Sequence, residues 1–91
     1  MMQRATIRVL GLVQGVGYRR FAEKRARAIG LNGFVRNENS GAVLVDVEGD
    51  RAAIETYIEQ LQTGPAFARV SDVTVQWLEY DGRYRAFEIT Y

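Results

Sequence analysis

The chain has 91 residues, of which 47% are hydrophobic and 25% charged, with a formal net charge of +1. That length suits one compact domain, residues 1–91, burying about 60–65% of its unfolded surface, and the composition excludes a disordered or fibrous chain. Cysteine and histidine are absent, which removes disulfides, thiolate nucleophiles, sulfur-ligated zinc and the commonest general base, while the near-neutral, interspersed charge leaves no broad positive field for nucleic acid.

The opening stretch, MMQRATIRVLGLV, is interrupted by Arg8 and Gly11 and is not a signal-peptide core. No later segment is long enough to span a bilayer, so a cytoplasmic location is expected. Ala5, Ile7, Val9, Gly11 and Val13 recur at period two, which predicts a half-buried strand over 5–13 with a glycine in its middle. Gly15 and Gly17 then make a turn. From Arg20 to Ile29, Phe21, Ala22, Ala26 and Ile29 form one helical stripe. Arg20, Lys24 and Arg27 form the opposite face, expected to be solvated and supported by a Glu23–Arg27 pair. Gly30 is placed to end the helix.

Gly33 to Asn37 and Ala42 to Glu48 read as strands joined by the turn Glu38-Asn39-Ser40-Gly41. Val43, Val45 and Val47 share one face, and Asp46 and Glu48 share the other, expected to be a solvated edge rather than a cation site. Asp50 is positioned to cap a second helix carrying Ile54, Tyr57, Ile58 and Leu61, which Gly64-Pro65 ends. Val73, Val75 and Trp77 alternate as a further strand. Phe87, Ile89 and Tyr91 alternate as the last. The order β-α-β-β-α-β-β predicts the α+β class: a ferredoxin-like βαββαβ sandwich, with an antiparallel sheet, two helices on one face and a short additional C-terminal strand. That sandwich hosts unrelated functions. One of them, base stacking on the sheet as in RRM domains, needs aromatics where this chain has Arg8, Val43, Val45 and Val47.

The turn between the first strand and first helix is the place to look for chemistry. A helix start presents unpaired N–H groups and a positive dipole end, and glycines allow positive φ and close backbone approach. Arg19 and Arg20 oppose that dipole at a cost of about 0.3–1 kcal/mol each. On spacing alone two readings stand: an ordinary tight connection with solvated arginines, or an anion cradle completed by a guanidinium fork. A Walker loop would need Gly-Lys-Ser/Thr, and a dinucleotide fingerprint would need glycine where Arg20 stands.

Two stretches together carry a resemblance. Val9-Leu-Gly-Leu-Val-Gln-Gly-Val-Gly-Tyr-Arg19 resembles the first signature of the acylphosphatase family, an aliphatic residue followed by G-x-V-Q-G-V-x-[FM]-R, with Tyr18 in place of phenylalanine or methionine. Gly33-Phe-Val-Arg-Asn37-Glu-Asn-Ser-Gly41-Ala-Val43, closed by Glu48-Gly49, resembles the second, with Ser40 where aspartate is often found. Gly64-Pro65 and Phe87-x-Ile89-x-Tyr91 extend the similarity along nearly the whole chain.

The resemblance implies hydrolysis of a carboxyl–phosphate mixed anhydride to carboxylate and inorganic phosphate, without cofactor or metal. It implies a phosphate-binding loop of Gln14, Gly15, Val16, Gly17, Tyr18 and Arg19, and catalytic roles for Arg19 on the phosphate and Asn37 on the attacking water. The implied partners are a small acyl phosphate as substrate and inorganic phosphate as product and competitive inhibitor. Neither nucleic acid nor membrane is expected as a partner, and a monomer is the expected state.

Overall fold

The computed structural model describes residues 1–91. Its elements follow the predicted order: β1 (Met2–Leu12), α1 (Tyr18–Ala28), β2 (Asn32–Asn37), β3 (Val43–Asp50), α2 (Arg51–Thr63), β4 (Arg69–Leu78) and β5 (Phe87–Ile89). The sheet order is β4-β1-β3-β2-β5. Alternation works as the sequence predicts: Ala5, Ile7 and Val9 of β1 and Val43, Val45 and Val47 of β3 face the helices and are fully buried. Ala22 and Ala26 of α1, with Ile54, Tyr57 and Leu61 of α2, complete that core. Each large apolar side chain buried there contributes about 1.5–3 kcal/mol. No helix is long and apolar enough to cross a membrane.

Local chemistry sets the boundaries. Helix α1 starts at Tyr18, earlier than Arg20, because Gly17 takes up the left-handed turn just before it (φ 80°). It ends with Leu31 N–H donating to Ala26 O at 2.9 Å across Gly30. Helix α2 is capped as expected, the Asp50 carboxylate accepting from Ala52 N–H at 3.2 Å. Gly11 sits at the register shift of the β1–β4 pair, where a Cβ would collide with the Arg69 carbonyl.

Two expectations are corrected. The sheet is not wholly antiparallel, since β5 pairs parallel to β2, Gly33 opposite Phe87 and Val35 opposite Ile89. Residues 79–86 carry the chain from the end of β4 at one sheet edge to the start of β2 at the other, so β5 can only run alongside β2 in the same sense. Asp46 and Glu48 are also not on a solvated edge, being 6% and 2% exposed. They lie on the central strand β3 beneath that crossing segment. The Glu48 carboxylate accepts from the backbone N–H groups of Asp81 (3.3 Å), Gly82 (3.1 Å) and Tyr84 (3.2 Å). Asp46 accepts from Arg4 (2.9 and 3.0 Å), Thr6 (3.0 Å) and the Tyr84 hydroxyl (2.9 Å). Burial pushes the Asp46 carboxyl up, but the bonds from Arg4, Tyr84 and Thr6 outweigh it and hold the group below its usual range. These buried carboxylates fix the crossing segment to the sheet and so fix where β5 begins.

The solvated helix face holds in part. Arg27 pairs with Glu23 at 3.2 Å, but its guanidinium also donates to the Phe87 carbonyl at 2.9 and 3.2 Å, tying α1 to β5.

Candidate active site

The sheet register brings the two sequence signatures together. Val43 of β3 is paired with Val9 on one side and Asn37 on the other, so the turn that follows β1 and the end of β2 share one end of the sheet. In that turn Gly15 and Gly17 adopt φ of 74° and 80°, conformations that L side chains resist. The amides from Gly15 to Arg20 find no acceptor within the protein, the turn's own backbone bond being Phe21 N–H to Gly17 O at 3.1 Å. No side chain caps α1 and no acidic residue stands in its first turn. A row of unpaired donors therefore meets the positive end of a helix, which is the requirement for binding an anion.

The predicted loop residues divide by task. The Gln14 side-chain amide donates to the carbonyls of Glu38 (2.8 Å) and Ala42 (2.9 Å), clamping the turn to the β2–β3 connection. Val16 packs against the core, which leaves its backbone as its contribution to the turn. Tyr18 is 1% exposed, and its hydroxyl donates to Leu61 O at 2.6 Å. Burial pushes that phenol above its usual range, so it remains a donor.

The Tyr18 bond anchors the start of α1 to the last turn of α2, where Leu61 O has no other partner. Tyr18→Phe leaves a buried carbonyl unpaired and is expected to lower stability by about 1–3 kcal/mol, read from the urea midpoint. The ring still packs, so catalytic turnover stays within about twofold of the parent, in keeping with the small effects of changes that leave the reacting groups untouched.

Arg19 projects from the first turn of α1, its guanidinium carbon 4.8 Å from the centre of the Tyr91 ring. It makes no ion pair. Arg20, by contrast, is exposed and lies 3.9 Å from Glu23, a separation worth little at the surface. Asn37 ends β2, and its side-chain oxygen Oδ1 is buried without a hydrogen-bond partner. Arg19, Asn37, Gly15 and Gly17 line one cavity of about 180 Å³. The fold thus brings together four of the residues that the two sequence stretches single out.

Two features at this cavity were missed. Ile89 and Tyr91 also line it, because the parallel β2–β5 pairing carries the end of the chain past Asn37. The alternation of Phe87, Ile89 and Tyr91 gives the face but not the neighbour. Glu38, which lines an adjoining hollow with Arg19 and Asn37, is held in a two-point pair by Arg8 (2.6 and 3.0 Å). The Arg8 hydrogen bonds hold its carboxyl below the usual range, so Glu38 stays charged and its charge is met by Arg8 rather than by Arg19. No three His, Cys, Asp or Glu side chains converge anywhere in the structure in a way that would hold a metal ion.

The acylphosphatase family model matches residues 5–89. The chain is 40% identical over 87 residues to an acylphosphatase of Salinibacter ruber, covering 96% of this chain and 92% of that one. It is 47% identical over 81 residues to an acylphosphatase of Thermus thermophilus, covering 89% and 92%. Its fold superposes on the crystal structure of acylphosphatase from Bacillus subtilis with a TM-score of 0.95 at 33% identity, over 100% of both chains. A family match spanning both sequence signatures, together with relatives and a solved structure aligned along almost the full length, places this chain in the acylphosphatase family of hydrolases.

Proposed function

We propose that this chain hydrolyses acyl phosphates by holding the phosphate in the amides of Gly15 to Arg19 and in the Arg19 guanidinium, with Asn37 orienting the attacking water. The observation that carries this reading is the contrast within one cavity. Its turn offers unpaired amide donors, whereas the buried Oδ1 of Asn37 is an acceptor with nothing to accept. Phosphate oxygens satisfy the donors. A water satisfies the acceptor, giving one hydrogen to Asn37 and keeping its lone pair for phosphorus. An unpaired buried acceptor costs about 1–3 kcal/mol, so water is favoured there.

The water oxygen attacks phosphorus as the bond from phosphorus to the acyl oxygen breaks, and the electron pair leaves with the carboxylate. One water proton passes to a phosphate oxygen while the other stays on the attacking oxygen, giving carboxylate and dihydrogen phosphate, which then loses a proton to solvent at neutral pH. A carboxylate with an unperturbed pKa near about 4 leaves without protonation, so the absence of histidine does not hinder the reaction. What remains for the protein is positioning and charge stabilisation. Preorganised amides and one guanidinium supply both, aimed at the equatorial oxygens where charge is spread.

Inorganic phosphate fits the same cradle as the transferred group. It is expected to raise the apparent KM for benzoyl phosphate while leaving kcat unchanged, as steady-state inhibition measurements would show. A fall in kcat at constant KM would place phosphate elsewhere and contradict the cradle.

A further inference from the structure

Arg19 must keep a long, flexible side chain directed at the cradle, and no carboxylate of the protein pairs with it. Its aromatic neighbour is Tyr91, with the guanidinium carbon 4.8 Å from the ring centre, inside the range for attraction between a cation and an aromatic face. Tyr91 is 96% exposed. Core packing therefore does not account for its position, unlike Phe87 and Ile89, which precede it on the same face and join the core.

The backbone accounts for it instead. Val35 is paired with Ile89, and Thr90 N–H donates to Val35 O at 2.8 Å, which carries the chain onward beside Asn37. Upstream, the Glu48 carboxylate grips the amides of Asp81, Gly82 and Tyr84, and Gly33 N–H donates to Ala86 O at 2.9 Å. Tyr91 borders the phosphate cavity and both adjoining hollows, each of which also contains Asn37.

We propose that Tyr91 is a positioning residue whose ring forms a shelf for the Arg19 guanidinium, and that presenting this shelf is the task of strand β5. The shelf narrows the orientations of Arg19 before the anion arrives, so less freedom is lost on binding. Its role in catalysis rests on the hydrolase reading above. The stacking itself does not.

The test compares wild type, Tyr91→Phe, Tyr91→Leu and Tyr91→Ala by NMR. The first readout is the Arg19 side-chain proton shifts in the ligand-free protein, and the second is titration with inorganic phosphate. The ring is expected to shift the Arg19 protons upfield in wild type and Tyr91→Phe, and this shift is lost in Tyr91→Leu and Tyr91→Ala. The dissociation constant for phosphate is expected to rise about two- to fivefold in the same two variants and to be restored by phenylalanine. Leucine keeps apolar bulk, so it separates stacking from simple wall packing. Identical Arg19 shifts in wild type and Tyr91→Leu, or equal phosphate affinity in all four proteins, would overturn the proposal. Neither readout involves turnover, so a failure of the hydrolase reading would appear separately, as wild-type protein that shows these shifts but does not cleave an acyl phosphate.

Discussion

Arg19→Ala is expected to lower kcat/KM for benzoyl phosphate by more than about 10³-fold, the scale for removing an arginine that neutralises transition-state charge in phosphoryl transfer. Of the two guanidiniums that line the cavity, Arg19 is the one that makes no ion pair with a carboxylate, since Arg20 leans toward Glu23. Arg19→Lys restores the charge but not the two-pronged fork, so it should recover only part of the loss. The same alanine variant should fold at least as well as the parent. Arg19 forms no ion pair within the protein, and it opposes the dipole of α1 at about 0.3–1 kcal/mol. Thermal unfolding beside steady-state kinetics therefore checks both halves: activity lost, stability unchanged or slightly raised. An active Arg19→Ala protein would remove the guanidinium from the mechanism.

Asn37→Ala is expected to lower kcat by about 10²–10³-fold, the range for losing one preorganised polar group at a reacting centre. Its signature differs from that of Arg19. In the proposed mechanism Asn37 acts on the water, so KM and the inhibition constant of phosphate should change little, and the whole effect should fall on kcat. Stability should hold as well, because the substitution removes a buried oxygen that has no partner in the protein. Unchanged turnover in Asn37→Ala would end its assignment.

The fold was legible where short-range chemistry decides it. Alternation gave the core faces of β1 and β3, Asp50 announced the cap of α2, and Gly30 ended α1 through a turn that glycine makes easily. The site was legible through pattern rather than through spacing. A glycine turn before two arginines is equally consistent with a plain connection, and the second stretch, which contains Asn37, is what made an anion cradle the stronger reading. The sheet register then explains why residues far apart in sequence meet, since Val43 has Val9 and Asn37 as its two neighbours.

What stayed hidden depended on where the chain crosses the sheet. Asp46 and Glu48 alternate like solvent-facing residues, and they would be so on an open face. The segment over them supplies backbone amides and the Tyr84 hydroxyl, which turn a surface pattern into a buried polar network. The direction of β5 was hidden for the same reason. With it went the proximity of Tyr91 to Arg19, because alternation fixes a side chain's face without naming the strand beside it.

The proposed reaction is hydrolysis of an acyl phosphate by the cradle, Arg19 and Asn37, all groups of this chain. It is tested most directly by following the ultraviolet absorbance of benzoyl phosphate at neutral pH with purified protein in the presence of EDTA. Loss of the anhydride is expected in proportion to protein concentration, at the same rate with and without the chelator. Decay no faster than in buffer alone, or activity abolished by the chelator, would contradict it.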